Sequence, residues 1–217
     1  LECILIDSLH MMDLGVTAAI NGNIVWESVL NNSWGQGSQE RNVAKMNSEL
    51  VKFQKEKKTK TKFQGELTVQ RLRADGKYPK LKSKAAAARC MVDFVLHVAS
   101  TYNTGSTHDK VKLELVKTLQ RYYQILAENS QFLTTSAKAE FETVCRLITR
   151  LYAFLSKEAF DQGLRLWKFA PKVHLLDHLG AFQAKIFGNP SYFWTYADED
   201  LIGLTIDVCE NCHTRTL

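Results

Sequence analysis

The chain has 217 residues, of which 45% are hydrophobic and 24% are charged, and its formal net charge is +5. This composition is typical of a globular domain and argues against a disordered chain. No stretch reaches the roughly 18 uncharged apolar residues that a membrane-spanning helix needs, so we expect no membrane partner.

The first predicted element is a short strand at residues 3–6, which are apolar on both faces, as in a strand buried between two layers. Asp7 would stand at the carboxyl end of this strand. A helix is predicted from Met11 to about Asn31, because apolar residues recur there at helical spacing. The stretch NNSWGQGSQ at 31–39 would end that helix.

Residues 40–62 end in the basic run KFQKEKKTKTK. Such a run is typical of the solvated end of a helix, and the alternative is contact with nucleic-acid phosphates. The lysines that would make those contacts are Lys55, Lys57, Lys58, Lys60 and Lys62. The residues that follow, 63–81, contain turn signals and are predicted to be too short and polar for a core.

Three amphipathic helices are predicted next, at 82–103, 109–128 and 136–160, because apolar residues repeat there at spacings of three and four. Asp109 and Ser136 stand where N-caps are expected. Since the connections are about five to eight residues long, the helices should form an antiparallel bundle.

The last part of the chain changes character. Pro171 is well placed to open a helix, and Gly188-Asn189-Pro190 is well placed to end it. The aromatic run at 193–196 predicts a short strand. The final helix would begin near Asp198.

Asp7 is the first candidate for chemistry. A carboxylate at the carboxyl end of a buried strand projects into the crevice where open α/β sheets place their sites. The alternative is that Asp7 is the N-cap of a helix that starts at Ser8.

His174 and His178 lie one helical turn apart in PKVHLLDHL, so both rings can share a face and bind a metal. The Glu that follows the first His in zinc proteases is absent. The alternative is a pair of structural histidines.

Cys209 and Cys212 belong to CENCH, which matches a c-type haem attachment pattern and supplies half of a zinc site. Together with His174 and His178 they would form a set of two thiolates and two imidazoles that Zn²⁺ accepts. The plainer interpretation is that both thiols continue an apolar helix face into the core. The five cysteines are odd in number, which favours reduced thiols and an intracellular location.

Glu199 stands in the first turn of the predicted final helix, where the helix dipole favours a carboxylate in any protein. Ile202 and Ile206 share its face, so we expect Glu199 to lean toward the edge of the core.

Taken in order, three stretches resemble one family. DSLHMMDLGVTAAI, PKVHLLDHL and NPSYFWTYADEDLIGLTIDVCENCHTRT are similar to the second half of the DDE-type transposases of cut-and-paste elements, and most of all to the CACTA-like group. The resemblance is confined to the two ends of the chain; the middle matches only in being helical and inserted.

The resemblance implies a ribonuclease-H-like α/β core, with a mixed sheet flanked by helices. Asp7 would be the second metal-binding carboxylate and Glu199 the third. With Mg²⁺ or Mn²⁺ they would carry out phosphoryl transfer on DNA. Transposon ends would be the DNA partner, a homo-oligomer is compatible with the family, and the location would be nuclear or otherwise intracellular. The basic stretches at 55–62 and 71–84 would contact the DNA backbone.

Two departures from the family pattern affect these expectations. The first catalytic Asp should lie upstream of Leu1, so the chain is expected to be a fragment that is inactive alone. Relatives often have a basic residue after the catalytic Glu, where this chain has Asp200. This leaves the choice among Asp198, Glu199 and Asp200 open and allows a decayed, inactive element.

The predicted fold is therefore predominantly α with a small β component, a partial ribonuclease-H-like core interrupted by a large helical insertion. Residues 1–35 would form the first part of the core, 36–165 the insertion, and 166–217 the return to the core with the final helix. The predicted function is that of a transposase fragment. The alternative is a non-catalytic helical interaction protein, and a more specific form of this alternative includes a structural zinc site.

Overall fold

The computed structural model describes residues 5–57, 62–74 and 76–211, with the backbone alone at 197, 199, 210 and 211. These residues are mostly helical, which confirms a predominantly α protein. They contain no strand, so the predicted small β component and the mixed sheet of a ribonuclease-H-like core are not seen in the described residues. The strand predicted at 193–196 is wrong, because a 3-10 turn at Pro190–Tyr192 leads almost directly into the final helix. Most of the strand predicted at 3–6 lies outside the described residues. Leu5 and Ile6 belong to no regular element.

The chain opens with a long helical rod. Its first part, Leu9–Thr17, is π-helical, and α1 (Ala18–Leu30) continues it, in agreement with the predicted helix at 11–31. The rod is buried on nearly all sides, as the negligible exposure of Met12 and Ile20 shows. A helix that is apolar all round lies in the centre of a fold, and this one does.

The second helix, α2 (Gln39–Glu56), begins where the predicted loop at 31–39 ends. The hydroxyl of Ser38 accepts a hydrogen bond from the amide of Arg41 at 3.3 Å, which satisfies one of the free amides of the first turn. The helix ends at Glu56, within the basic run.

The segment between α2 and the bundle carries part of the core, so the prediction that 63–81 is too polar for one is wrong. It contains the short helix α3 (Val69–Leu72). Its buried side chains are Phe63, Leu67, Leu72, Pro79 and Leu81. The physical reason is Gly22 on α1: a Cβ there would lie 2.6 Å from Cα of Lys80, so only glycine lets this segment approach. The amide of Leu81 then donates to the carbonyl of Ala18 at 2.8 Å.

The three predicted bundle helices are present. The first is divided at Met91 into α4 (Ala85–Cys90) and α5 (Val92–Thr101). The others are α6 (Thr107–Glu128) and α7 (Thr135–Asp161). Helix α5 packs on α6, and α6 packs on α7.

The two predicted N-caps are wrong by a few residues. The hydroxyl of Ser106 caps α6 and that of Thr134 caps α7, accepting from amides at 3.1 and 3.2 Å. Asp109 instead accepts a 3.0 Å hydrogen bond from the amide of Thr104, before the helix begins.

The last third of the described chain consists of short helices. Pro171 opens α8 (Pro171–His178) as predicted, a π-helical turn follows at Leu179–Gln183, and α9 (Ala184–Phe187) ends at Gly188. The final helix, α10, spans Tyr196–Asn211 and so begins two residues before Asp198.

Asn189 joins this region to the bundle. Its fully buried amide group donates to the carbonyls of Leu126, Asn129 and Ser130, at and beyond the end of α6, at 2.9, 2.9 and 3.3 Å. Its backbone amide donates to Gln131 at 2.8 Å. The last carbonyls of a helix lack partners within the helix, and Asn189 supplies one from a distant part of the chain.

One hydrophobic core extends through the described residues from Met11 to Ala184, and the predicted boundaries at 35/36 and 165/166 do not interrupt it. Helix α10 contributes none of the buried side chains that the structure describes. Its apolar residues are exposed, with Leu201 at 64% and Val208 at 63%. No helix in the described ranges is both long and apolar enough to cross a membrane.

Candidate functional site

Asp7 is hydrogen-bonded to Thr195, in the segment that leads into α10. Its Oδ1 accepts from the backbone amide of Thr195 at 3.1 Å, and its Oδ2 accepts from the hydroxyl of Thr195 at 2.8 Å. We call this contact the Asp7–Thr195 junction. The two ends of the sequence that carry the transposase resemblance therefore meet here.

The same carboxylate caps the opening helical rod, as the second sequence interpretation predicted. It accepts from the amides of Leu9 and His10 at 3.0 and 3.2 Å, and the Nδ1 atom of His10 lies 2.5 Å from Oδ2. Partial burial alone would raise the pKa of Asp7, but the hydrogen bonds from His10 and Thr195 outweigh it and lower the pKa below its ordinary value. Asp7 is therefore held in its charged form.

Asp13 is a second carboxylate on the same rod, and it is 1% exposed. The hydroxyl of Tyr196, in the first turn of α10, donates to its Oδ2 at 2.5 Å, and the hydroxyl of Tyr123 on α6 donates to its Oδ1. Burial raises the pKa of Asp13, and the two phenol hydrogen bonds offset this only in part. Asp13 thus binds α6 and α10 to the rod.

Arg89 on α4 completes this end of the molecule. Its guanidinium lies 5.0 Å from the ring centre of Trp194 and 5.5 Å from that of Tyr196, in the range of cation–π contact. Its charge also lowers the pKa of Asp13 somewhat. Two carboxylates, one arginine and three aromatic rings therefore surround the start of α10.

Glu199 lies in the first turn of α10, as predicted. Its side chain lies outside what the structure describes, so the predicted approach of the Asp7 and Glu199 carboxylates stays a prediction. Its neighbours Asp198 and Asp200 are exposed.

Carboxylate oxygens suit Mg²⁺ and Mn²⁺. Asp7 accepts from five donor groups, however, and a carboxylate offers about four lone-pair positions. A metal ion would have to displace at least the His10 ring and the Thr195 hydroxyl. In the described part of the chain no three His, Cys, Asp or Glu side chains form a group that could hold a metal.

The predicted histidine pair is present on α8. The Nε2 atoms of His174 and His178 lie 3.2 Å apart on an exposed face. This is hydrogen-bond distance, as expected for a structural pair. Two imidazoles on one tetrahedral Zn²⁺ at the usual bond lengths have nitrogens about 3.3 Å apart, so the pair also has the spacing of two ligands. The adjoining groove is also lined by Arg146 and Arg150, whose charges oppose a cation.

The interpretation of CENCH as core is wrong for Cys209, which is exposed. Helix α10 does not pack its apolar face on the described core, so its thiol faces solvent instead. Cys212 lies outside the described residues, and so do Lys58 and Lys60 of the basic run. The remaining lysines of that run, Lys55, Lys57 and Lys62, are exposed, which agrees with a solvated helix end.

The sequence interpretation missed Asp13, Thr195 and Tyr196. The signal for Asp13 was present in DSLHMMDLGV, where a lone carboxylate interrupts an apolar helical run. A buried carboxylate needs donors, and tyrosine hydroxyls are common ones.

Comparisons of the chain with protein-family models, curated proteins and solved structures found no match.

Proposed function

We propose that this chain is part of a transposase-like protein that cleaves and joins DNA strands with divalent metal ions, on a partial ribonuclease-H-like core that carries a helical insertion. The observation that supports the proposal is the Asp7–Thr195 junction. Thr195 and Asp7 are 188 positions apart in the sequence, and their contact brings the start of α10 next to Asp7. Glu199, which is proposed to act with Asp7, belongs to the first turn of that helix.

In this proposal Asp7 and Glu199 hold Mg²⁺ or Mn²⁺, which would supply the Lewis acidity for phosphoryl transfer on DNA. The residues described here have supporting tasks. Thr195 and His10 hold the Asp7 carboxylate charged and oriented when no metal is bound. Asp13 and Arg89 fix the start of α10 through Tyr196, so that residue 199 keeps its position relative to the rod.

Metal binding by the chain itself tests the proposal. Titration calorimetry with Mn²⁺ would compare the wild type with Asp7→Asn and Glu199→Gln, and with Asp198→Asn and Asp200→Asn to identify the acid on α10. We expect binding to weaken by about tenfold or more in D7N and in one of the three α10 variants. Glu114→Gln, on the exposed face of α6, is the matched control.

If the D7N variant does not fold, NMR on the wild type can test the same metal site. Bound Mn²⁺ broadens the NMR signals of nearby protons, so the imidazole signals of His10 in the wild type should broaden before those of His97. Equal broadening of both rings, or unchanged Mn²⁺ affinity in a folded D7N, would contradict the proposed metal site.

The spacing of His174 and His178 favours a second candidate, a non-catalytic helical interaction protein with a structural zinc site. Titration with Co²⁺ separates the two candidates, because tetrahedral Co²⁺ has strong visible absorption and thiolate ligands add a charge-transfer band. A band lost in both His174→Ala and Cys212→Ser would favour this second function. Weak octahedral absorption that disappears in D7N would favour the first.

A further inference from the structure

A cleft of about 730 Å³ lies between α1, the segment before α4 and the start of α8. Four lysines line it, namely Lys77, Lys80, Lys168 and Lys172, and none of the described lining residues is a carboxylate. We call it the lysine cleft. Its floor is apolar and includes Val16, Tyr152 and Val173, all buried.

Among the described residues, the four positive charges of the lysine cleft have no carboxylate counterion; Lys168 lies 5.8 Å from the ring centre of Tyr78, and Lys172 donates to a backbone carbonyl. None of these lysines forms an ion pair with an acid of the described residues. Burial lowers the pKa of Lys80, and the neighbouring charge of Lys172 lowers it further. Gathering like charges over an apolar floor costs free energy, which a bound anion would offset.

The main chain holds two of the lysines in place. The amide of Lys80 donates to the carbonyl of Leu72 at 2.9 Å, and its backbone is seated on Gly22. The stem of Lys172 crosses Gly15, where a Cβ would lie 2.7 Å from its Cδ. The positions of Lys80 and Lys172 therefore depend on two glycines, Gly22 and Gly15, against which these lysines pack closely.

The start of α8 adds to the positive potential. Its N-cap residue, Ala170, offers no side-chain acceptor, and its first turn contains no acid. Pro171 has no amide hydrogen and the amide of Val173 donates to the carbonyl of Ala170 at 2.9 Å, so the helix dipole, rather than a set of free amides, favours a phosphate group here. Both Ala170 and Pro171 line the cleft.

We propose that the lysine cleft binds phosphate esters, carried either by a DNA strand or by a free nucleotide. This inference deepens the proposed function and rests on it for the DNA strand as ligand. The Nζ atom of Lys172 donates to the carbonyl of His10 at 2.8 Å, and His10 is bonded to Asp7. A strand whose phosphates lie in the cleft would therefore pass close to the Asp7–Thr195 junction.

Fluorescence anisotropy with a labelled single-stranded oligonucleotide and calorimetry with ATP test the two sources of phosphate. The variants are K80A/K172A and the charge-preserving K80R/K172R, and the control is K110A/K117A, two exposed lysines on α6. We expect K80A/K172A to weaken binding about tenfold or more. The slope of log affinity against log salt concentration should also become shallower, by the amount that corresponds to about two lost phosphate contacts. The arginine variant should retain most of the affinity.

The outcomes separate the sources. Loss of oligonucleotide binding assigns the cleft to a strand, and loss of ATP binding alone assigns it to a free nucleotide. Equal loss in K110A/K117A, or equal competition by polyglutamate, would overturn a phosphate site in favour of general basic attraction. Because D7N leaves the lysines intact, both proposals together predict weaker Mn²⁺ binding and normal phosphate binding in that variant. Unchanged Mn²⁺ affinity in folded D7N contradicts the proposed function alone, and unchanged phosphate binding in K80A/K172A contradicts the lysine cleft alone.

Discussion

The hydroxyl of Thr195 donates a 2.8 Å hydrogen bond to Oδ2 of Asp7, across a separation of 188 positions in the sequence. The backbone amide of the same residue donates to the other carboxylate oxygen. One residue thus holds one carboxylate by both of its oxygens and joins the start of the helical rod to the start of α10.

Replacing Thr195 with Val removes the hydroxyl donor and keeps the shape and the backbone amide. Because the acceptor is charged, we expect a loss of about 1–2 kcal/mol in the free energy of unfolding and faster hydrogen exchange at the start of α10. Urea unfolding and exchange mass spectrometry measure the two effects. The matched control is Thr205→Val, whose hydroxyl donates only to Leu201 on the exposed helix; an equal loss there would contradict a special role for the junction.

The buried carboxylate of Asp13 should make stability fall as pH rises. Its pKa is raised in the folded protein, so above the ordinary value of 3.8 the unfolded chain gives up this proton before the folded protein does. The stabilisation is present below 3.8 and is lost as pH rises through the folded pKa. We expect Asp13→Asn to gain stability relative to the wild type between pH 4 and pH 7, as measured by urea unfolding. A difference that does not change with pH would contradict a raised pKa.

His108 bridges two carboxylates and should stabilise the fold in mildly acidic solution. Its ring nitrogens lie 2.9 Å from Glu27 and 2.6 Å from Glu158, and the hydrogen bond to Glu27 is the main cause of its raised pKa. This contribution is complete below about pH 6.5 and is lost as pH rises through the folded pKa. Burial would raise the pKa of Glu27, but the hydrogen bond from His108 and the charge of Lys112 lower it. Its own contribution is therefore lost only as pH falls below 4.5 toward the folded pKa.

The His108→Gln variant tests this window. We expect a loss of roughly 1–2 kcal/mol that is largest between pH 4.5 and pH 6.5 and shrinks by pH 8. His97→Gln is the control, since its ring meets a single carboxylate, Glu49, at a more exposed site. A loss in H108Q that grows toward pH 8 would show that neutral His108 is the stabilising form.

Gly22→Ala should be strongly destabilising, because the new Cβ would lie 2.6 Å from backbone atoms of Lys80 and Leu81. We expect a cost of about 2 kcal/mol or more in thermal or urea unfolding, together with weaker phosphate binding as Lys80 shifts. Gly203→Ala on α10, where nothing lies within 4 Å, is the control and should be neutral or slightly stabilising. Similar stability of the two variants would show that the segment at 80–81 can move away without loss.

Helical periodicity predicted the rod and the bundle well, because these helices bury one or more regular apolar faces. Helix α2 was expected only as the helix that the basic run would end. It could not predict that α10 would remain exposed, since a sequence shows that a face is apolar and not whether another element covers it. The segment at 63–81 was misjudged for a related reason. Its few apolar residues are buried because glycine at position 22 admits a close backbone approach, which is a tertiary effect.

The site was predictable in part. The motif order predicted an approach of the Asp7 and Glu199 carboxylates, which stays a prediction. The contact of Asp7 with Thr195, four residues before Glu199, was not foreseen. The role of Tyr196 could not be foreseen, because it depends on Asp13 lying inside the fold with two phenols beside it. Polar groups that satisfy one another across long separations leave no periodic pattern in a sequence.

The amide of Asn189 has a consequence for how the molecule could be divided. By closing the end of α6 it ties the α6–α7 corner to the six residues that lead to Thr195. Residues 36–165 were predicted as an insertion, and an insertion suggests a part that can be removed or exchanged. Here the removal of 36–165 would take away the carbonyls that the Asn189 amide group binds, whereas the contacts of Asp7 with Thr195 and of Asp13 with Tyr196 would remain. The helices at 36–165 therefore support the segment before α10 together with those two contacts.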